Sequence, residues 1–199
     1  IPIILKNIKN FENFYDEVFF HIIVPSKEVS IFRKKIKNKN TRIISENDLL
    51  KFNKFKNISN TFFKNSKYYK EIQKRLTWYY QQILKLSFVI DFIDKENKEI
   101  IIWDADTIIL KKISFFDDIK SFKYGTTSEF HKAYYETNKS ILGKLPKYFI
   151  SSLSQFVSLS VIDQKFLKKK LKIYKKLNNT AFRISKIIMS AVNNTHMNY

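Results

Sequence analysis

The sequence predicts an α/β domain with a largely parallel sheet flanked by helices. Three observations carry that expectation. Strand-sized apolar runs alternate with helical stripes as far as Leu110, one long stripe leads directly into the run EIIIW, and that run ends on two carboxylates, Asp104 and Asp106. Right-handed crossovers would join the parallel strands.

The elements follow in order. VFFHIIVP, residues 18–25, is an apolar strand stopped by proline. SKEVSIFRKKIKN places Val29, Phe32 and Ile36 on one helical stripe, with Ser26 as its cap. TRIIS, residues 41–45, reads as a second strand, and ENDLL as the start of another helix. The lysine- and asparagine-rich stretch at 51–66 has no clear period and is expected to be a loop or flap. From 68 to 90, Ile72, Leu76, Tyr79, Ile83, Leu86 and Ile90 recur at helical spacing, a long core-facing stripe. Arg75, Trp78, Gln82 and Lys85 form a second, polar and aromatic stripe on the same helix. Beyond the aspartate strand the sequence predicts a strand pair around Gly125, a helix over 131–143, a serine-rich segment of strand or mixed character over 148–162 and an amphipathic helix over 163–177.

The 199 residues suit one domain, and 44% hydrophobic residues are enough to build a core. The chain begins at Ile1 without methionine, so the expectation is a single domain over 1–199 from a longer protein, lacking its true N-terminus. Zero cysteines exclude disulfide frameworks and thiolate metal sites. No run approaches about 18 unbroken apolar residues, so no membrane span is expected. The expected location is the cytoplasm, with the basic surface in peripheral contact with an anionic inner membrane face. The net charge of +19 comes mostly from lysine, which accompanies abundant asparagine and isoleucine as in proteins of AT-rich genomes. It favours acidic partners in general. No nucleic-acid-binding pattern accompanies it, and no nucleic acid is expected as partner. Only two glycines exist, Gly125 and Gly143, which excludes both the G-x-G-x-x-G and the Walker phosphate loops. A phosphorylated ligand would have to be held by a metal or by basic side chains.

That requirement leads to EIIIWDADTIIL. Carboxylates set between aliphatic runs need a positive partner, because an unpaired buried charge is costly. Residues i and i+2 of an extended segment point the same way, so Asp104 and Asp106 are expected to converge. Ligands of open α/β sheets bind beyond the carboxyl ends of strands, where this motif falls. Paired carboxylates suit Mn²⁺ or Mg²⁺, leaving coordination positions for diphosphate oxygens. Asp106 is expected to be the principal metal ligand, with Asp104 supporting the metal or the donor ribose.

WYYQQILKL, starting at Trp78, followed by IIWDADTIIL resembles an uncharacterised family of bacterial glycosyltransferase-like proteins with a GT-A-like fold. There a helix bearing W-Y-x-Q-Q-x-x-K precedes a strand ending in D-A-D. The likeness continues into SEFHKAYYE and is most specific between Trp78 and Leu110. It implies a metal-dependent transferase that moves a sugar from a nucleotide-sugar donor to a glycan or glycolipid acceptor in surface-polysaccharide synthesis. Asp104 and Asp106 would form its metal and nucleotide-sugar motif, and Gln81, Gln82 and Lys85 would lie on the helix flanking the donor pocket; Trp78, read on its own, is either a core residue or a platform for the donor sugar. The family's serine-rich segment ending in Glu-His is here SSLSQFVS, which offers Gln155 and Phe156 instead.

Glu129 and His131, on one side of an extended segment, are the candidates for the catalytic base. His21 reads as a core residue, His196 as part of a polar tail, and Asp117 and Asp118 as caps of a turn. Two other functions compete. DADTI also resembles the D-x-D-x-[TV] motif of haloacid-dehalogenase phosphatases, in which Asp104 would be the nucleophile. Against it, Ile108 fills the fifth position and no G-D-x-x-x-D follows. A non-catalytic basic module would explain the charge and leave the aspartates without a role.

Overall fold

In the computed structural model, residues 1–96, 100–115, 156–159 and 180–196 are described, together with the single positions 140 and 169. They form a mixed α/β structure.

Proline in the first turn and a stripe of Ile4, Ile8 and Phe11 make Pro2–Phe14 the first helix, α1. Its N-terminal half packs Ile8 beside Val24, Phe32, Ile36 and Ile43, and Phe11 in its C-terminal half packs with Ile109 and Phe115. The strands β1, Phe20–Val24, and β2, Thr41–Ser45, pair in parallel with Phe20 opposite Thr41 and Val24 opposite Ser45. Between them run a 3₁₀ turn, Ser26–Glu28, and α2, Val29–Lys35. Ser26 does not cap α2. Its hydroxyl lies 2.7 Å from that of Ser45 and so ties together the carboxyl ends of the two strands. Ser45 also caps α3, Glu46–Leu49, by accepting from the Asn47 N–H.

Residues 51–66 are not a loop. Phe52–Phe63 form α4, whose Phe55, Ile58, Ser59 and Phe63 are buried. Their spacing is helical, but lysines and asparagines interrupt the pattern so densely that tertiary packing decides it. The stripe over 68–90 likewise divides, into α5, Tyr69–Lys74, and α6, Leu76–Glu96. Arg75 ends α5 in a non-helical conformation, and its N–H bonds back to Gln73 and Ile72. The expected core residues Ile72, Leu76, Tyr79, Ile83 and Ile90 are all buried, and Leu86 packs partly against them.

The strand β3, Ile100–Trp103, pairs antiparallel with β4, Phe156–Leu159. Among the described strands there is thus one parallel and one antiparallel pair, a smaller and more mixed arrangement than the parallel sheet expected. The last helix, α7, Thr180–His196, closes the largest core by setting Ile184, Met189 and Val192 with Phe55, Phe63 and Ile83. His196, read from sequence as part of a polar tail, is the last residue of this helix. The Thr180 hydroxyl donates to Asp91 of α6 at 2.6 Å. Among the described residues no helix is long and apolar enough to cross a membrane.

Candidate functional site

The strand IIIW alternates. Ile101 and Trp103 pack toward Phe11, Ile109 and Phe115, with the Trp103 and Phe11 rings edge to face at 5.1 Å. Asp104, one residue on, therefore leaves toward the opposite face. There the ammonium of Lys85, arriving from α6, forms an ion pair with Asp104 Oδ1. The two side chains are 24% and 27% exposed, so neither carboxylate nor ammonium is fully desolvated. The positive partner demanded by the sequence is a lysine.

Asp106 behaves differently. The strand ends at Trp103, and the Thr107 N–H donates to the Asp104 carbonyl at 3.1 Å, closing a turn. The extended geometry that would have aligned Asp104 with Asp106 is broken, and Asp106 is exposed. The expectation of two buried carboxylates is corrected to one half-buried, paired aspartate and one exposed aspartate in the same turn.

The turn is held from behind by α1. Asn7 Nδ2 donates to the Thr107 carbonyl at 2.6 Å, and the Ile109 N–H donates to Asn7 Oδ1 at 3.0 Å. Trp103 Nε1 donates to the same Thr107 carbonyl at 2.7 Å. Further along, Asn10 donates to the Ile109 carbonyl at 2.7 Å, and the Tyr15 hydroxyl both donates to and accepts from the Ile113 backbone. This rail fixes the facing of the segment: Ile109 is 1% exposed and Leu110, its neighbour, 78%. Burial pushes the Tyr15 phenol above its ordinary value, partly offset by the Ile113 bond.

None of these α1 residues was singled out from sequence. The available signal was Asn7 itself, a polar residue on the apolar stripe of Ile4, Ile8 and Phe11, where a satisfied polar partner must exist.

On α6, Gln82 is half-buried like Lys85, while Gln81 and Trp78 are exposed, Trp78 at 38%. Trp78, Gln82 and Lys85 share one helical face, and Trp78 lies about 10 Å along the axis from Lys85 at 1.5 Å per residue. One turn beyond Lys85, Phe88 meets the His21 ring at 5.0 Å, which sets α6 against β1. His21 is half-buried there. Glu129, His131, Gln155, Asp117, Asp118 and the elements expected over 116–139, 141–155, 160–168 and 170–179 lie outside the described residues.

Among the described residues no group of three or more histidine, aspartate and glutamate side chains is placed to hold a metal ion. A closed protein cage is not what Mg²⁺ or Mn²⁺ require, since one or two carboxylates completed by phosphate oxygens and water suffice. Asp106, exposed in the turn, and Asp104 fit that donor set. Lys85 competes for Asp104.

These features describe a mixed α/β protein with an acidic turn at a strand end and a lysine paired to it. The chain belongs to the family of unknown function DUF6492, whose model matches residues 1–183. No curated protein and no solved structure matches it.

Proposed function

We propose that the protein is a metal-dependent glycosyltransferase of GT-A-like architecture, transferring a sugar from a nucleotide-sugar donor to a glycan or glycolipid acceptor. The observation that carries this reading is the meeting of Lys85 with the Asp104–Asp106 turn at the carboxyl end of β3. A diphosphate leaving group needs cationic partners, and this chain offers no glycine cradle. Lys85 supplies one fixed positive charge. Asp106 and Asp104 would hold Mn²⁺ or Mg²⁺, which neutralises charge developing on the departing diphosphate.

In the reaction the acceptor hydroxyl oxygen bonds to the anomeric carbon. The bond from that carbon to the diphosphate oxygen breaks, and its electron pair leaves with the nucleoside diphosphate. The acceptor's proton passes to a base, for which Glu129 and His131 are the candidates. Lys85 exchanges its contact with Asp104 for one with a diphosphate oxygen as the donor enters. Gln82 and Gln81 offer amide donors to the donor's hydroxyls or phosphates, and the exposed Trp78 ring offers an apolar face to a sugar or base.

Thermal stabilisation by a panel of nucleotide sugars, with and without Mn²⁺, tests the reading. The expected result is a rise in melting temperature that needs both components and disappears in Asp106→Asn. A phosphoaspartate trapped at Asp104 would instead establish the phosphatase function. Salt-sensitive binding to polyanions without any response to nucleotide sugars would establish the non-catalytic one.

A further inference from the structure

We infer that Asn7 is a positioning residue for the acidic turn and that α1 is the splint that sets where Asp104 and Asp106 stand. The inference rests on the metal–diphosphate reading of that turn. Asn7 is 6% exposed and spends its whole amide on one segment. Its nitrogen donates to Thr107 and its oxygen accepts from Ile109, a donor and an acceptor two residues apart. That is the pattern a neighbouring β-strand would present, supplied here by a single side chain. A primary amide does both from two separate atoms, whereas a carboxylate lacks the donor and an aliphatic chain lacks both.

The bracket closes on the turn from both ends. Thr107 O also accepts from Trp103 Nε1, so the last strand residue and the turn exit share one carbonyl. Thr107 N returns to Asp104 O. Asp104 and Asp106 lie inside this closed set, and any shift of Thr107 moves both carboxylates together. Metal and phosphate ligands tolerate displacements of only about 0.5 Å. Asn10 and Tyr15 continue the same rail but bond beyond the turn, at Ile109 O and Ile113, and so provide an internal comparison.

The test uses the intact chain and measures Mn²⁺ affinity in the presence of inorganic pyrophosphate, by the paramagnetic resonance of free Mn²⁺. Measurements are made well below each variant's melting temperature. The indole N–H resonance of Trp103, one of two tryptophans, reports the turn independently. Asn7→Ala is expected to weaken Mn²⁺–pyrophosphate binding by about ten- to a hundredfold, as losses behind metal ligands do. It should also shift the Trp103 indole signal, while Asn10→Ala lowers the melting temperature and leaves affinity near that of the wild type. Asn7→Asp keeps the side-chain shape and the Ile109 bond but loses the donor to Thr107. It should reproduce the affinity loss, and serves if Asn7→Ala does not fold. Wild-type binding that persists unaltered in Asn7→Ala and Asn7→Asp, with the indole signal unmoved, overturns the positioning role alone. Wild-type protein that binds no Mn²⁺ with pyrophosphate overturns the site reading itself, and the inference with it.

Discussion

A half-buried carboxylate at the end of an apolar strand calls for a cation, and Lys85 reaches Asp104 from α6 to provide it. The same ammonium stands where a divalent ion would compete. Lys85→Met should therefore strengthen the binding of Mn²⁺ alone and weaken that of pyrophosphate, opposite signs that titration calorimetry separates. Its stability cost should be only about 1 kcal/mol, because both partners retain contact with water. Tyr80 gives a second residue-scale expectation. Its hydroxyl donates to the Leu50 carbonyl, and burial together with the charge of Glu46 raises it well above the ordinary 10.0. An acid whose folded value is raised stabilises the protein fully below the unfolded value. That contribution is lost as pH rises, because the unfolded chain releases its proton first. Melting temperature should fall above about pH 10, and Tyr80→Phe should flatten that alkaline limb. The sequence asked for a positive partner and set Lys85 in the same pocket as the aspartates, but it did not say that the lysine would pair with Asp104 directly. Asp106's exposure was not, because the strand-ending turn depends on bonds from Thr107 and Asn7, a hundred residues apart in sequence.

At the level of elements, α6 was legible and α4 was not. The α6 stripe repeats large apolar residues over several turns, so local pattern and tertiary contact agree. In α4 the apolar positions are separated by lysine and asparagine, and only packing against α6 and α7 makes the segment a helix. Phe55 is fully buried and stacks on Tyr80 with ring centroids 5.5 Å apart. Phe55→Ala should cost about 3–5 kcal/mol in chemical denaturation, whereas a residue in a surface flap would cost almost nothing. The break at Arg75 was hidden for a different reason. Hydrophobic spacing on its two sides stays nearly in phase, so periodicity alone reads straight through it. On α1, Asn7→Ala leaves the buried Ile109 N–H without a partner, and should destabilise by about 1–3 kcal/mol, more than Asn10→Ala.

Across the whole molecule, the α/β class was readable from strand and helix order, while the pairing of strands was not. β3 meets β4 across more than fifty residues, and no local pattern announces whether such a partner runs parallel or antiparallel. α1 belongs to both smaller cores, with Ile8 beside the β1–β2 pair and Phe11 beside β3, so it joins the two sheets mechanically. The charge of +19 acts on the same scale. Self-repulsion should be relieved by salt, and raising sodium chloride from about 0.05 to 0.5 M should shorten the screening length severalfold. A rise in melting temperature of about 2–4 °C, equivalent to about 1 kcal/mol, is the expected reading. A fall would mean that attractive pairs such as Lys85–Asp104 outweigh the repulsion.

The hydrogen bond from Asn7 to Thr107 spans 100 residues, and that span has a consequence for the order of events on the ribosome. At about 5–20 residues per second, Asn7 emerges roughly 5–20 s before the segment that completes its amide. Through that interval the apolar stripe of α1 can engage β1 and β2 but has no β3 to hold. The acidic turn consequently forms only after the helix that braces it has waited, while β4 and α7 emerge later still.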